Sequence, residues 1–442
     1  MPEVIVAGAG VAGLSAAHRL LERGFDVTLV EADDYLGGKL GASRDLGTPD
    51  WSEHCFHMYL NWYNNFWAFV DEIGVRRHFL PMPAINYLKR DQYGKAHQLT
   101  NIGSPWTMLQ NVFNGVSPPA DNFIYMYSLF DLVSKIISPQ KSFEQTSVLA
   151  FMASRPYMTD EAMNGSKRTL AEAFACPSYL SSARSYRSLV KYGLRQPDPT
   201  MWLLNGNTHE TLFVPWRSYL ERRAGQGWGR LDIQTLRSVQ EIGLSEDGER
   251  IERITVGVMP HSASRRRGEV IRPPYSYEIP VPGDLILAIP PKQLGRLVSF
   301  EVMQRAPGLA DVRKLLSEPM ISLDLYFKRK LPDVPAGITL LLDSRHDLSF
   351  LDQSQIWRDW EGGTFLNLIA SDADTVIHYS DDEIIKVMVT ELKRFLRFDD
   401  ADLDEARTHL KTNIGEELVT NQVGSWHYRP SATTLSLIHI SE

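Results

Sequence analysis

The stretch VIVAGAGVAGLSAAHRLLERGFDVTLVEADDYLGGK, residues 4–39, decides the fold. Val4–Ala7 is a short apolar run that leads straight into Gly8-Ala9-Gly10-Val11-Ala12-Gly13. Leu14 to Arg23 has helical apolar spacing and stops at Gly24, and Val27–Val30 is a second apolar run. The order is strand, glycine turn, helix, strand. Gly8 permits the tight turn, Gly10 lets the backbone approach a pyrophosphate, and Gly13 lets helix and strand pack closely. The helix start then offers free N–H groups and a positive dipole to phosphate. Glu31 lies 18 residues after Gly13, placed to accept from ribose hydroxyls, with Ala32 beside it. Residues 4–31 therefore predict a dinucleotide-binding βαβ unit.

A plain NAD site is complete at Glu31. Here Gly37, Gly38 and Lys39 follow. Paired glycines at that distance suit a chain turning back across the pyrophosphate, where side chains would collide with it, and Lys39 can neutralise phosphate charge. An extra wall beyond the ribose fits a ligand with a long, deeply held second half, which favours FAD over NAD.

Composition bounds the rest. The 442 residues suffice for two domains, and 43% hydrophobic with 23% charged residues is ordinary for a globular enzyme. A net charge of −8 argues against a nucleic-acid partner. The basic run Arg265-Arg266-Arg267 reads as a solvated loop. Two cysteines, Cys55 and Cys176, form no disulfide framework and no metal set, so a reducing, cytoplasmic setting and no bound metal are expected. Residues 105–137, PWTMLQNVFNGVSPPADNFIYMYSLFDLVSKII, are rich in aromatic and aliphatic side chains. Two readings suit them: a buried helical lid, or a face in peripheral contact with a membrane.

The pattern GAGVAGLSAAHRL…VTLVEADDYLGGK resembles the FAD-dependent amine oxidase and carotenoid desaturase superfamily. SEHCFHMYLNWYNN (52–65) resembles the flavin-lining segment of plant-type phytoene and ζ-carotene desaturases, matching at Glu53, His57, Met58, Tyr63 and Asn65. LLNGNTHETLFVPWRSYL (203–220) resembles a further run of that family through Asn205, Gly206, Asn207, Glu210 and Pro215. The resemblance implies that His57, Met58 and Tyr63 line the flavin, and that Val239 meets the adenine through its backbone.

It also implies an α/β fold: a Rossmann-like FAD-binding domain (residues 1–75 and 228–300) interleaved with a mixed α+β substrate domain (76–227 and 301–430). Strands are expected over 312–327 and 362–370, and a helix over 381–397. The implied activity is hydride transfer from an apolar, isoprenoid (carotenoid-type) small molecule to flavin, in a pocket with Trp51, Trp62, Phe66, Trp67 and Trp202 as candidate lining. Catalytic residues are not assigned. An amine oxidase, a hydroxysqualene dehydroxylase and a prenyl-binding protein of the Rab GDP-dissociation inhibitor type share the fold and stay open.

The departures are specific. Cys55 stands where the desaturases carry glycine, and Thr211 where they carry arginine. Ser322 occupies the position at which amine oxidases often hold a flavin-facing lysine, counted from Tyr326-Phe327. The superfamily's closing segment, A-G-D…E-G-A, is missing after HYRPSATTL (427–435), so a truncated reading frame with a doubtful tail over 431–442 is expected.

Overall fold

The computed structural model describes residues 2–44, 50–100, 104–134, 140–165, 176–194, 196, 199–262, 272–413 and 420–429. Arg265–Arg267 and the tail from residue 430 lie outside the described residues.

The quoted stretch forms strand β1 (Glu3–Ala7), helix α1 (Val11–Glu22) and strand β2 (Asp26–Val30). They build a four-stranded parallel sheet, in the order 231–234, β2, β1, 284–287. Both faces of the central pair are covered, which is why Val4–Ala7 and most of β2 are apolar. Val4, Val6, Val27 and Leu29 pack with Leu14, Ala17 and Leu21 of α1, while Ile5 and Val30 turn to Ile254 and Val256. These last residues belong to an antiparallel three-stranded sheet of 237–244, 251–258 and 275–280. Between its first two strands lies the acidic turn around Gly248 (φ +68°).

The second layer is a seven-stranded sheet in the order 409–413, 320–326, 365–370, 348–352, 338–342, 84–89, 96–100. Its neighbours are antiparallel except 338–342 with 84–89, so early and late chain share one sheet. Strand Met320–Tyr326 is buried along its whole length, and the period of two sorts its side chains. Ile321, Leu323 and Leu325 face the core beneath Ile384, Met388 and Leu392; Ser322 and Asp324 face the other way.

The strand expected over 312–327 begins only at Met320, because Pro307–Lys314 winds into a 3₁₀ helix. Likewise Phe365–Ala370 is shorter than 362–370: Gly362 adopts φ +143°, a turn conformation that ends the ladder. The helix expected over 381–397 spans Asp381–Leu392. Its start is fixed by a reciprocal cap: Ser380 accepts from the Glu383 N–H while the Glu383 carboxylate accepts from the Ser380 N–H. Helices 119–133, 148–153 and 183–193 pack around Leu132, Met152 and Tyr186 as a separate apolar cluster.

Candidate functional site: a dinucleotide cradle and an apolar cavity

The glycines at the carboxyl end of β1 divide by what surrounds them. Gly8 has φ +97°, and a Cβ there would lie 2.3 Å from the Ala288 carbonyl oxygen. A Cβ on Gly13 would sit 1.8 Å from the Gly8 carbonyl oxygen, so close contact between helix and strand demands glycine. Gly10 differs. Its backbone is extended (φ −70°, ψ −177°), and a Cβ would meet nothing nearer than the Gly37 carbonyl oxygen at 3.8 Å. Space is thus left open beside Gly10, at the start of a helix whose first turn has no side-chain cap. Uncapped N–H groups facing a gap fit a pyrophosphate.

Gly37 and Gly38 form the facing wall. Gly37 pairs with Gly10 and donates its N–H to the Ala9 carbonyl at 2.8 Å. With φ +117° and the Phe213 ring 2.4 Å from its virtual Cβ, Gly37 admits no side chain. Glu31 is buried and accepts from the Ala9 N–H (2.6 Å) and the Asp33 N–H (2.9 Å). Burial lifts its carboxyl to about 7, with Asp33 adding to the rise and backbone donors, including Ala32, opposing it. Lys39 and Ala12 are exposed at the rim. Val239 lies on the strand whose first residue, Arg237, donates its N–H to the Glu31 carbonyl at 2.7 Å. The structure therefore gathers Gly8–Gly13, Glu31, Gly37–Lys39 and the strand of Val239 at one sheet edge.

His57, Met58 and Tyr63 lie elsewhere, on a segment pinned to the seven-stranded sheet. Ser52 donates to Asp324 at 2.8 Å, and the Phe56 N–H to Asn367 at 2.9 Å. Lys411 pairs with Asp324 at 3.0 Å and donates to the Glu53 carbonyl. Sequence reasoning missed this lysine. It sits directly across the strand pair from Ser322, and its only signal was a lone cation in the strand HLKTN. Glu53 is buried; its Oε1 accepts from the Thr208 N–H (2.8 Å) and its Oε2 lies 3.7 Å from His57 Nδ1. Cys55 Sγ is 3.9 Å from His57 Nε2. Burial alone would raise the Cys55 thiol, but the imidazoles of His54 and His57 outweigh it and bring it down. Burial likewise disfavours charge on His57, and Cys55 with Glu53 outweigh it and raise His57.

Cys55, His57, Met58 and Tyr63 also line a cavity of about 860 Å³, at the upper end of the range for ligand pockets. Its walls are mostly apolar: Phe56, Leu60, Ile85, Leu99, Met126, Leu129, Leu189, Met201, Met320, Ile338 and Ile369. Tyr125 and Tyr186, joined at 2.8 Å, complete one side. A polar patch of Asn111, Asn114, Ser117, Asp121 and Glu161 marks one region of the wall. Of the five aromatic residues expected to line it, Trp62 does. Trp67 is core, donating to the Leu60 carbonyl; Phe66 stacks on Tyr59; Trp202 donates to Asn61; Trp51 stacks on His209. The run at 205–215 forms the turn His209–Phe213 that leads into helix Val214–Ala224, Asn207 bonding Glu210 twice at the start of that turn, and through Thr208 it steadies Glu53.

Residues 105–133 prove to be two-faced. Helices Pro105–Val112 and Pro119–Val133 contribute Asn111, Asn122, Tyr125, Met126 and Leu129 to the cavity. Their outer side exposes Trp106 (66%), Phe113 (68%) and Phe123 (62%), with Leu109, Tyr127 and Phe130 near half-exposed. Positions 135–137 of the expected span lie outside the described residues. Among the described residues no helix is long and apolar enough to cross a membrane.

A dinucleotide-type cradle on a parallel sheet, together with a large apolar cavity, fits one class, the flavin-dependent oxidoreductases. Comparison narrows it. Residues 11–178 match the family of flavin containing amine oxidoreductases. The 15-cis-phytoene desaturase of Capsicum annuum is 23% identical over 92% of this chain and 67% of its own length. That of Solanum lycopersicum is 24% identical over 88% of this chain and 64% of its own, so this chain spans about two thirds of the plant relatives. The Synechococcus elongatus enzyme of the same name is 23% identical over 88% and 79%. In fold, the chain is similar to putrescine oxidase bound to putrescine (TM-score 0.65, 15% identity, 96% and 89% coverage). It is also similar in fold to an oxidoreductase from Methanosarcina mazei (TM-score 0.64, 14% identity, 98% and 92%). These likenesses support the FAD-dependent amine oxidase and carotenoid desaturase superfamily for this chain, with FAD as the cofactor.

Proposed function

We propose that this flavin oxidoreductase desaturates an apolar, carotenoid-type isoprenoid taken from a membrane surface. The observation that carries the reading is the cavity. It is large and mostly apolar, Cys55–Met58 form part of its wall, and the two helices that expose Trp106, Phe113 and Phe123 outward form another part. The plant and cyanobacterial relatives, named as phytoene desaturases, support the same substrate class.

The residues divide the work. Gly10 and the first turn of α1 would receive the pyrophosphate, Gly37-Gly38 would form the facing wall, and Glu31 would accept from the ribose. When bound, FAD supplies the acceptor for a hydride. A hydrocarbon offers no charge to clamp, so Phe56, Met58, Leu60, Met201, Met320 and Ile369 orient it by shape and dispersion and exclude water from it. The direct test is to load the protein with FAD and incubate it separately with phytoene, ζ-carotene, hydroxysqualene and aliphatic amines. New conjugated double bonds appear in the polyene absorption if the reading holds. Turnover of amines alone would refute it.

A further inference from the structure

We propose that His54, Cys55 and His57 form a binding site for one thiophilic metal ion, zinc or copper, with a coordination position open to the cavity. The three side chains offer one nitrogen, one sulfur and one nitrogen, all within 4.8 Å of one another. Cys55 Sγ and His57 Nε2 are 3.9 Å apart, and the His54 and His57 ring centres are 5.0 Å apart at 62°. Zinc bonds of ~2.0–2.3 Å set at the tetrahedral angle put neighbouring donors ~3.3–3.6 Å apart. The cluster therefore needs to contract by at most ~1.5 Å, within the reach of side-chain rotation.

A second observation points the same way. The nitrogen of His57 that faces away from Cys55, Nδ1, is buried without a hydrogen-bond partner and lies 3.7 Å from Glu53 Oε2. An imidazole that ligates through Nε2 presents its Nδ1–H to just such a carboxylate, which fixes the tautomer and the ring plane. Glu53 is itself held, through Oε1, by the Thr208 N–H at 2.8 Å, so the orienting group is already in place. The donor set selects the ion. A thiolate with two imidazoles suits zinc or copper, whereas magnesium and calcium take oxygen donors. Three protein ligands leave one position free. Because Cys55 and His57 line the cavity, that position is reachable by water or by a donor atom of whatever occupies it. The sulfur ligand stands where the desaturases this chain resembles carry glycine. The site is independent of which substrate the cavity takes.

The test uses the full chain, stripped of metal with a chelator, dialysed and titrated separately with zinc, copper(I) and cobalt(II). One equivalent of zinc or copper bound per chain by elemental analysis is expected, and the cobalt form should show the near-ultraviolet charge-transfer band of a thiolate–metal bond. Cys55→Ser and His54→Ala should each abolish stoichiometric binding, with circular dichroism reporting that the fold is kept. Should Cys55→Ser fail to fold, the half-buried His54 gives the deciding variant. Glu53→Gln should weaken metal affinity by about 10–100-fold, as loss of an orienting carboxylate does elsewhere. The proposal is overturned if no metal binds stoichiometrically, or if the bound metal persists in the folded Cys55→Ser or His54→Ala protein.

Discussion

Replacing Gly10 by alanine separates cofactor binding from folding in a way the neighbouring glycines do not allow. In the free protein the new methyl meets only the Gly37 carbonyl oxygen at 3.8 Å and Gly38 Cα at 3.9 Å, both ordinary contacts. The backbone at φ −70°, ψ −177° is open to any residue. Removing glycine's freedom from the unfolded chain then stabilises the protein by about 0.4–1 kcal/mol, a rise in Tm of roughly 0.5–1 °C for a chain of this length. In the complex the same methyl projects into the gap between α1 and the Gly37-Gly38 wall. It pushes phosphate away from the α1 N–H groups. Charge-assisted hydrogen bonds contribute ~1.5–3 kcal/mol each, so losing two raises the FAD Kd by a factor on the order of 10²–10⁴. Gly10→Val, with more bulk, should abolish binding. Titrating apoprotein with FAD by fluorescence quenching gives the Kd, and calorimetry without FAD gives the Tm. A wild-type Kd in Gly10→Ala, or a Tm several degrees below wild type, would show that the cradle is not where the glycines place it.

Four further outcomes are expected. Gly13→Ala should yield insoluble or unfolded protein, since its Cβ would lie 1.8 Å from the Gly8 carbonyl oxygen; a soluble variant with native circular dichroism would contradict that packing. Glu31, raised to about 7 by burial, holds its proton in the free protein below that pH, whereas ribose hydroxyls donate to the ionised form. FAD affinity should therefore climb between roughly pH 6 and 8, approaching tenfold per unit at the acid end, and Glu31→Gln should flatten the profile; equal slopes in both proteins would refute the assignment. His18, fully buried beside Glu72 (3.2 Å), is lowered by burial to about 4, so protons favour the unfolded chain. Stability should fall as pH drops from 6.5 towards 4, and His18→Gln should reduce that loss in denaturant titrations. Replacing Trp106, Phe113 and Phe123 together by serine should abolish cosedimentation with phospholipid vesicles while leaving FAD binding unchanged; unaltered sedimentation would remove the membrane-facing reading.

The sequence by itself determined the first βαβ unit almost to the residue. Every signal there is local: apolar runs, three glycines with distinct steric tasks, and an acid at fixed spacing lie within one continuous stretch, so no distant contact was needed to read them. The start of helix Asp381–Leu392 was equally local, with the cap Ser380-x-x-Glu383 written in adjacent residues, whereas its end falls five residues short of the expected 397. The site beyond the ADP end was legible only in part. Glu53, His57, Met58 and Tyr63 could be picked out, but that Asp324, Asn367 and Lys411 pin this segment, through Ser52, Phe56 and Glu53, depends on pairings more than 250 residues apart. Aromatic side chains told even less, because Trp62 in the cavity wall and Trp67 in the core are chemically identical until neighbours decide which side each faces. Helices 105–112 and 119–133 make the same point: lid and exposed apolar face were offered as alternatives, and the two helices supply both at once. Local chemistry fixes backbone conformation within a turn or two. Which distant groups hold a segment in place, as Asp324, Asn367 and Lys411 hold residues 52–56, is decided by the long-range sheet pairing that brings the loop and its supports together.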